Sequence, residues 1–171
     1  MESTVAYNWT EFRLHHYYHC TRKELFAAWA TSAGLESFFI KQSIFTAKDG
    51  TVRQKNEPAQ AGDAYKWDWI HNYSLTGTIF DVTPNEAVVF SFGSMRVKVA
   101  ISGNDGELLL TLSQTDIPVD NEDNKAWSHL NCRSCWAHYL TNLKAVLEHG
   151  IDLREPDADR ADCISIGFVP Q

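Results

Sequence analysis

The sequence has no apolar run of the roughly 18 residues that a bilayer-crossing helix needs, so no transmembrane segment is expected. Positive charge is in short supply: 15 Lys and Arg stand against 22 Asp and Glu, a net charge of −7. Nucleic-acid backbones are held by basic stripes, so this balance argues against such a partner. The opening residues, MESTVAYNWTEF, lack the basic start and apolar stretch of a secretory signal. Without an export signal, Cys20, Cys132, Cys135 and Cys163 are expected as reduced thiols in a cytoplasmic protein. Internal repeats, low-complexity stretches and linkers are missing too. The 171 residues therefore read as one domain, with a core over about 10–153 and a tail over 154–171. Catalytic signatures are equally absent: no Gly-x-Ser-x-Gly elbow, no phosphate-cradling glycine loop, no His-Glu-x-x-His helix. No catalytic residue, metal or cofactor is assigned. Asp68 and Asp81 fall on expected strands without a visible partner and read as solvated.

Aromatic side chains are what the chain has in quantity: nine Phe, six Tyr and six Trp, 12% of residues. They must either bury one another or line something. Residues 11–20 read as a first strand. Thr21 followed by Glu24 is a capping box that starts a helix at Arg22, with Leu25, Phe26 and Trp29 as its apolar stripe. Ser32 starts a shorter helix carrying Leu35, Phe38 and Phe39. From Ile40 the period changes to two. SIF and TVR flank Asp49-Gly50, a hairpin signal, and a polar loop covers 55–62. AYKWDWI, LTGTIFDV, AVVFSF, RVKVAIS and ELLLTLSQ then alternate between short turns. The result is about seven strands in an antiparallel meander with one covered and one wetter face. After Pro118, Asp120 or Asn121 caps a helix that ends at His149, with Gly150 as its C′ residue. About 25 residues at 1.5 Å each span roughly 37 Å, enough to cross the sheet. The apolar ISIGFV of the tail is expected to dock on the body.

Two sequence features invite a metal reading. His129, Cys132, Cys135 and His138 share the last helix at spacings of three. Each step turns roughly 60°, so the two histidines point to opposite sides and the four cannot hold one ion. The thiols also lie inside the helix rather than at its N-terminus, where the dipole would activate them. The plainer reading is an amphipathic stripe of His129, Cys132, Trp136, Tyr139, Leu140, Leu143 and Leu147. In HHYYH, His15 and His19 share a strand face but lie about 13 Å apart, and His16 faces the other way.

The order is strand, two helices, a six-strand meander and one long helix. With KELFAAWATSAGLESFF, AGDAYKWDWI, LTGTIFDVTPNEAVVFSF, RVKVAISGNDGELLLTLSQTDIP and CWAHYLTNLKAVLEHGIDLR, it resembles the SRPBCC (START/pollen-allergen-like) superfamily. Within it, the chain is similar to the domain of the activator of the heat-shock-protein-90 ATPase, over about residues 12–154. The resemblance implies an α+β helix-grip fold: a curved seven-stranded antiparallel sheet around the C-terminal helix, two short helices between the first two strands, and a hydrophobic cavity. The family commonly has Gly before the tryptophan of the last helix, where Cys135 stands here.

Trp67, Trp69, Phe90, Phe92, Val97, Val99, Leu110 and Leu112 with Cys132, Trp136, Tyr139 and Leu140 are the expected cavity lining, or else the filling of a solid core. Burying about 300 Å² of an apolar ligand yields about 7 kcal/mol, against at least about 4 kcal/mol for association. Tight binding therefore needs inward polar groups, and Tyr65, His71, Gln114 and Tyr139 are the candidates. Three functions stay open. One is a non-enzymatic binder of a small hydrophobic or aromatic molecule. The resemblance implies the others: a co-chaperone-like module with a chaperone partner, or a cyclase- or dehydratase-like enzyme. A homodimer through the exposed sheet face is compatible with each.

Overall fold

A computed structural model describes residues 6–70 and 72–160. His71, Cys163 and the ISIGFV segment lie outside the described residues. Strand β1 (Phe12–Tyr18) leads into helices α1 (Arg22–Ala30) and α2 (Ser32–Phe38). The capping box forms: Thr21 Oγ1 accepts from the Glu24 amide, and the Glu24 carboxylate accepts from the Thr21 amide. The meander follows as β2 (Gln42–Thr46), β3 (Ala64–Asp68), β4 (Ser74–Thr83), β5 (Ala87–Phe92), β6 (Met95–Asn104) and β7 (Glu107–Thr115). All pairings are antiparallel in the order β1-β7-β6-β5-β4-β3-β2, so the first strand closes against the last. This is the helix-grip α+β fold.

Alternation sets the faces. Phe90, Val97, Val99, Leu110 and Leu112 are almost wholly buried on the inner face, and their sequence neighbours point outward. The Asp49-Gly50 turn forms, but its second arm does not become a strand. Only Thr46 and Val52 bridge, and Val52 is exposed. Arg53 instead turns to ion-pair with Asp63 and Glu57, fixing residues 53–63 as a polar loop while β2 pairs with β3.

The long C-terminal element also departs from one uniform helix. It begins as α3 (Glu122–Asn124), capped by Asn121. It then widens into a π-helical segment (Lys125–Asn131) and continues as α4 (Cys132–His149). Gly150 ends it in the left-handed conformation, with φ 67°, as expected of a C′ glycine. Buried and half-buried hydrogen bonds hold this element, among them His129 to Trp9 O, Trp136 to Gln114, Leu140 O to Tyr18 Oη, and Asn142 to Phe38 O. Among the described residues, no helix is long and apolar enough to cross a membrane.

Helices α1 and α2 meet so closely that a Cβ on Gly34 would stand 2.1 Å from Ala27 O and 2.6 Å from Ala28 Cα. Both are backbone atoms, which cannot swing aside. Gly34→Ala is expected to destabilise the fold by about 2 kcal/mol through forced separation of the helices, read as a lowered denaturant midpoint.

Candidate functional site: an aromatic cleft between the sheet and the last helix

Phe39, the residue after α2, sits at the centre of a continuous ring cluster. Its ring lies 4.8 Å from Tyr139, 5.0 Å from Trp136 and 5.3 Å from Trp69. Trp69 continues to Tyr73 at 5.2 Å, and Trp136 to Phe92 at 5.2 Å. These side chains, with Asn131, Cys132 and Cys135, line an open cleft of about 320 Å³ between α4 and the β3–β4 turn. Six rings face a space that holds no carboxylate, imidazole, ammonium or guanidinium among the described residues. Its polar side-chain groups are the Asn131 amide, two phenol hydroxyls, two thiols and the indole N–H groups of Trp69 and Trp136. Burial raises the Cys132 thiol above its ordinary pKa, which disfavours the nucleophilic thiolate.

The structure divides the expected lining. Trp69, Phe92, Cys132, Trp136 and Tyr139 stand on the cleft wall. Trp67, Phe90, Val97, Val99, Leu110, Leu112 and Leu140 lie in the packed core behind it. The reason is the Trp136 indole. It reaches across from α4, and its Nε1 donates 2.7 Å to Gln114 Oε1, filling the space over β5–β7. Gln114 is the polar residue on the inner parity of β7 and is itself fully buried. Its Nε2 donates to Ser128 O at 3.1 Å and contacts Met95 Sδ at 3.0 Å. Its amide is thus occupied in joining sheet to helix, and little is left for a ligand.

Tyr65 is similarly committed. It stacks 3.9 Å from Trp67 and donates to Ser91 O at 2.6 Å, and burial raises its pKa to about 12. The indole N–H groups of Trp29 and Trp67 are buried in the same ring layer without an acceptor. Phe39, Tyr73, Asn131 and Cys135 complete the wall, though only Cys135 stood out in the sequence, as the larger residue before Trp136. Phe39 read as part of the apolar side of the second helix, while Tyr73 and Asn131 carried no sequence signal.

The histidines have separate surroundings. His15 meets Thr111 Oγ1 at 3.0 Å and His19 meets Gly106 O at 2.9 Å, both on the surface. Asp68 accepts from Ser74 at 2.5 Å, and Asp81 is exposed. Among the described residues, no three metal-binding side chains converge. His129 is the buried one, ringed by Tyr7, Trp9 and Phe12. Its Nδ1 lies 2.9 Å from Trp9 O, which can only accept, so Nδ1 carries the proton. Nε2 then accepts from Tyr7 Oη at 2.8 Å.

A family model described as Activator of Hsp90 ATPase homolog 1-like protein matches residues 19–148. The chain belongs to this family. Solved structures share the fold at low identity. Protein SSP2350 from Staphylococcus saprophyticus aligns at TM-score 0.66 and 16% identity over 84% of this chain and 96% of its own. DynU16, from the dynemicin biosynthetic locus, aligns at 0.66 and 15% over 86% of this chain and 50% of its own. Aha1 from Colwellia psychrerythraea, solved as a dimer in solution, aligns at 0.63 and 13% over 82% of this chain and 97% of its own. No curated protein matches this family member.

Burial and the nearby Arg133 push the pKa of His129 below its ordinary value. The folded state therefore favours the neutral ring. Its contribution is fully present above the unfolded pKa of about 6.5 and is lost as pH falls below it. The denaturant midpoint of the wild type should fall between pH 7.5 and pH 5.5 by more than that of His129→Leu. Equal falls would remove His129 as the linked group.

Proposed function

We propose that this family member binds a small, uncharged, largely aromatic molecule in the cleft between Trp69, Tyr73 and α4. The observation that carries the reading is the wall itself: six aromatic rings around about 320 Å³, with no charged side chain among the described lining residues. At interior packing density that space holds about 240 Å³ of ligand atoms, the size of two or three aromatic rings. Apolar burial alone leaves roughly 3 kcal/mol after association. Two or three ring–ring contacts at about 1 kcal/mol each bring the dissociation constant to tens to hundreds of micromolar. Tyr73, Tyr139 and Asn131 supply the hydrogen bonds that orient the ligand.

Family membership favours a second reading, engagement of a chaperone ATPase by this chain's surface, with the cleft as an accessory. Self-association is a compatible form of it. An enzyme using the same cleft, of the cyclase or dehydratase kind, would draw its acid or base from the Tyr73 or Tyr139 hydroxyl or a thiol, the titratable groups on the described wall.

N-phenyl-1-naphthylamine, a neutral two-part aromatic that fluoresces in apolar surroundings, tests the ligand reading. The wild type should bind it saturably, and Cys135→Phe, which fills the wall beside Trp136, should weaken binding about tenfold or more while retaining the fold by circular dichroism. Binding indifferent to Cys135→Phe, or none at all, would overturn the reading.

A further inference from the structure

The inner face of the sheet grips the helix; the outer face carries a different chemistry. Register places Arg13, Ser113, Lys98, Val89 and Asp81 in one row across β1, β7, β6, β5 and β4. Strands lie roughly 4.8 Å apart, so Arg13 and Lys98 flank Ser113 about 10 Å from each other. Neither meets a carboxylate among the described residues. Beside them the register shift between Ile79 and Asp81 turns Phe80 outward, 42% exposed. The Arg96 guanidinium lies 4.4 Å over that ring, and its nearest carboxylate, Asp116, is 3.9 Å away with both groups half-exposed or more. Together they border a shallow groove of about 720 Å³.

Like charges on one sheet face repel, and three of this chain's cations gather here although its net charge is −7. Solvation alone does not call for an exposed ring in their midst. We infer that the outer groove docks an acidic segment of a partner protein. Carboxylates about 10 Å apart sit over Arg13 and Lys98, and an apolar side chain covers Phe80. Asp81, at the far end of the row, repels a carboxylate there and so sets which way the segment lies. Nucleic acid fits less well: three cations on an acidic body make no backbone-length stripe. This inference is independent of the cleft, since outer and inner faces share no side chain.

The test is fluorescence anisotropy of a labelled peptide of Asp, Glu and Leu, against the same peptide with Asn and Gln. The acidic peptide should bind at low salt and weaken as salt rises. Arg13→Glu/Lys98→Glu should weaken it about tenfold or more, and Arg13→Gln/Lys98→Gln should weaken it less. Far-ultraviolet circular dichroism and the denaturant midpoint of the same variants verify that the fold persists; should the reversed pair fail to fold, the neutral pair decides. Equal binding of acidic and neutral peptides, wild-type affinity in the variants, absence of peptide binding, or an oligonucleotide of equal charge competing more strongly would each overturn the inference.

Discussion

The hydrogen bond from Trp136 to Gln114 governs the interior of this protein. A buried glutamine with unmatched amide atoms would cost about 1–3 kcal/mol, and a buried indole N–H a similar amount. Each supplies what the other needs, so the helix cannot rotate or slide without leaving both unpaired. That fixes one rotational setting of α4 against β7. Further along the helix, the bonds from Tyr18 of β1 to Leu140 O and from Asn142 to Phe38 O repeat the same device with backbone carbonyls. Apolar burial brings sheet and helix together without direction; these polar ties decide how they meet.

The cleft follows from that setting. With the indole drawn over β5–β7, the inner face there is solid, and space remains only where α4 diverges from the β3–β4 turn. Phe39 closes the floor of that space, and Trp69 and Tyr73 form its far wall. On the other side, the π-helical segment ends at Asn131, where the wall begins. Ser128 O is held by Gln114 and His129 by Trp9, so the wider turn is pinned from two sides. Such turns recur at functional sites, and this one sets the pitch at which Asn131 and Cys132 enter the cleft.

Much of the architecture was legible because its causes are local. Thr21 with Glu24, Asn121 ahead of the acidic turn, and Gly150 each act within a few residues of themselves, and period-two alternation names a strand's buried parity before its partner is known. The π segment was not legible, because its cause is distant: residues 7–9 and 114 act on 128–129. The arm after Asp49-Gly50 read as a strand because turn chemistry outweighed Arg53, whose acidic partners are near in sequence but meet it only in the fold. Parity marked Trp67 and Trp69 as equivalent, yet one is core and the other wall. Which inward residue meets empty space depends on where the Trp136 ring goes, and no spacing encodes that. Phe39 and Tyr73 reach the wall through loop geometry for the same reason.

Sheet and helix thus make one rigid frame with two unlike surfaces, an uncharged aromatic recess inside and a cationic strip outside. The central claim is that the recess beside Trp136 accepts a planar apolar guest while the indole keeps its bond to Gln114. Nitrogen-15 spectra of the six tryptophan indoles during titration with N-phenyl-1-naphthylamine test it directly. The account predicts that the Trp69 and Trp136 signals move together, that Trp136 stays protected from solvent exchange, and that exposed Trp127 does not respond. Movement of Trp127 with Trp69 and Trp136 unchanged would contradict it.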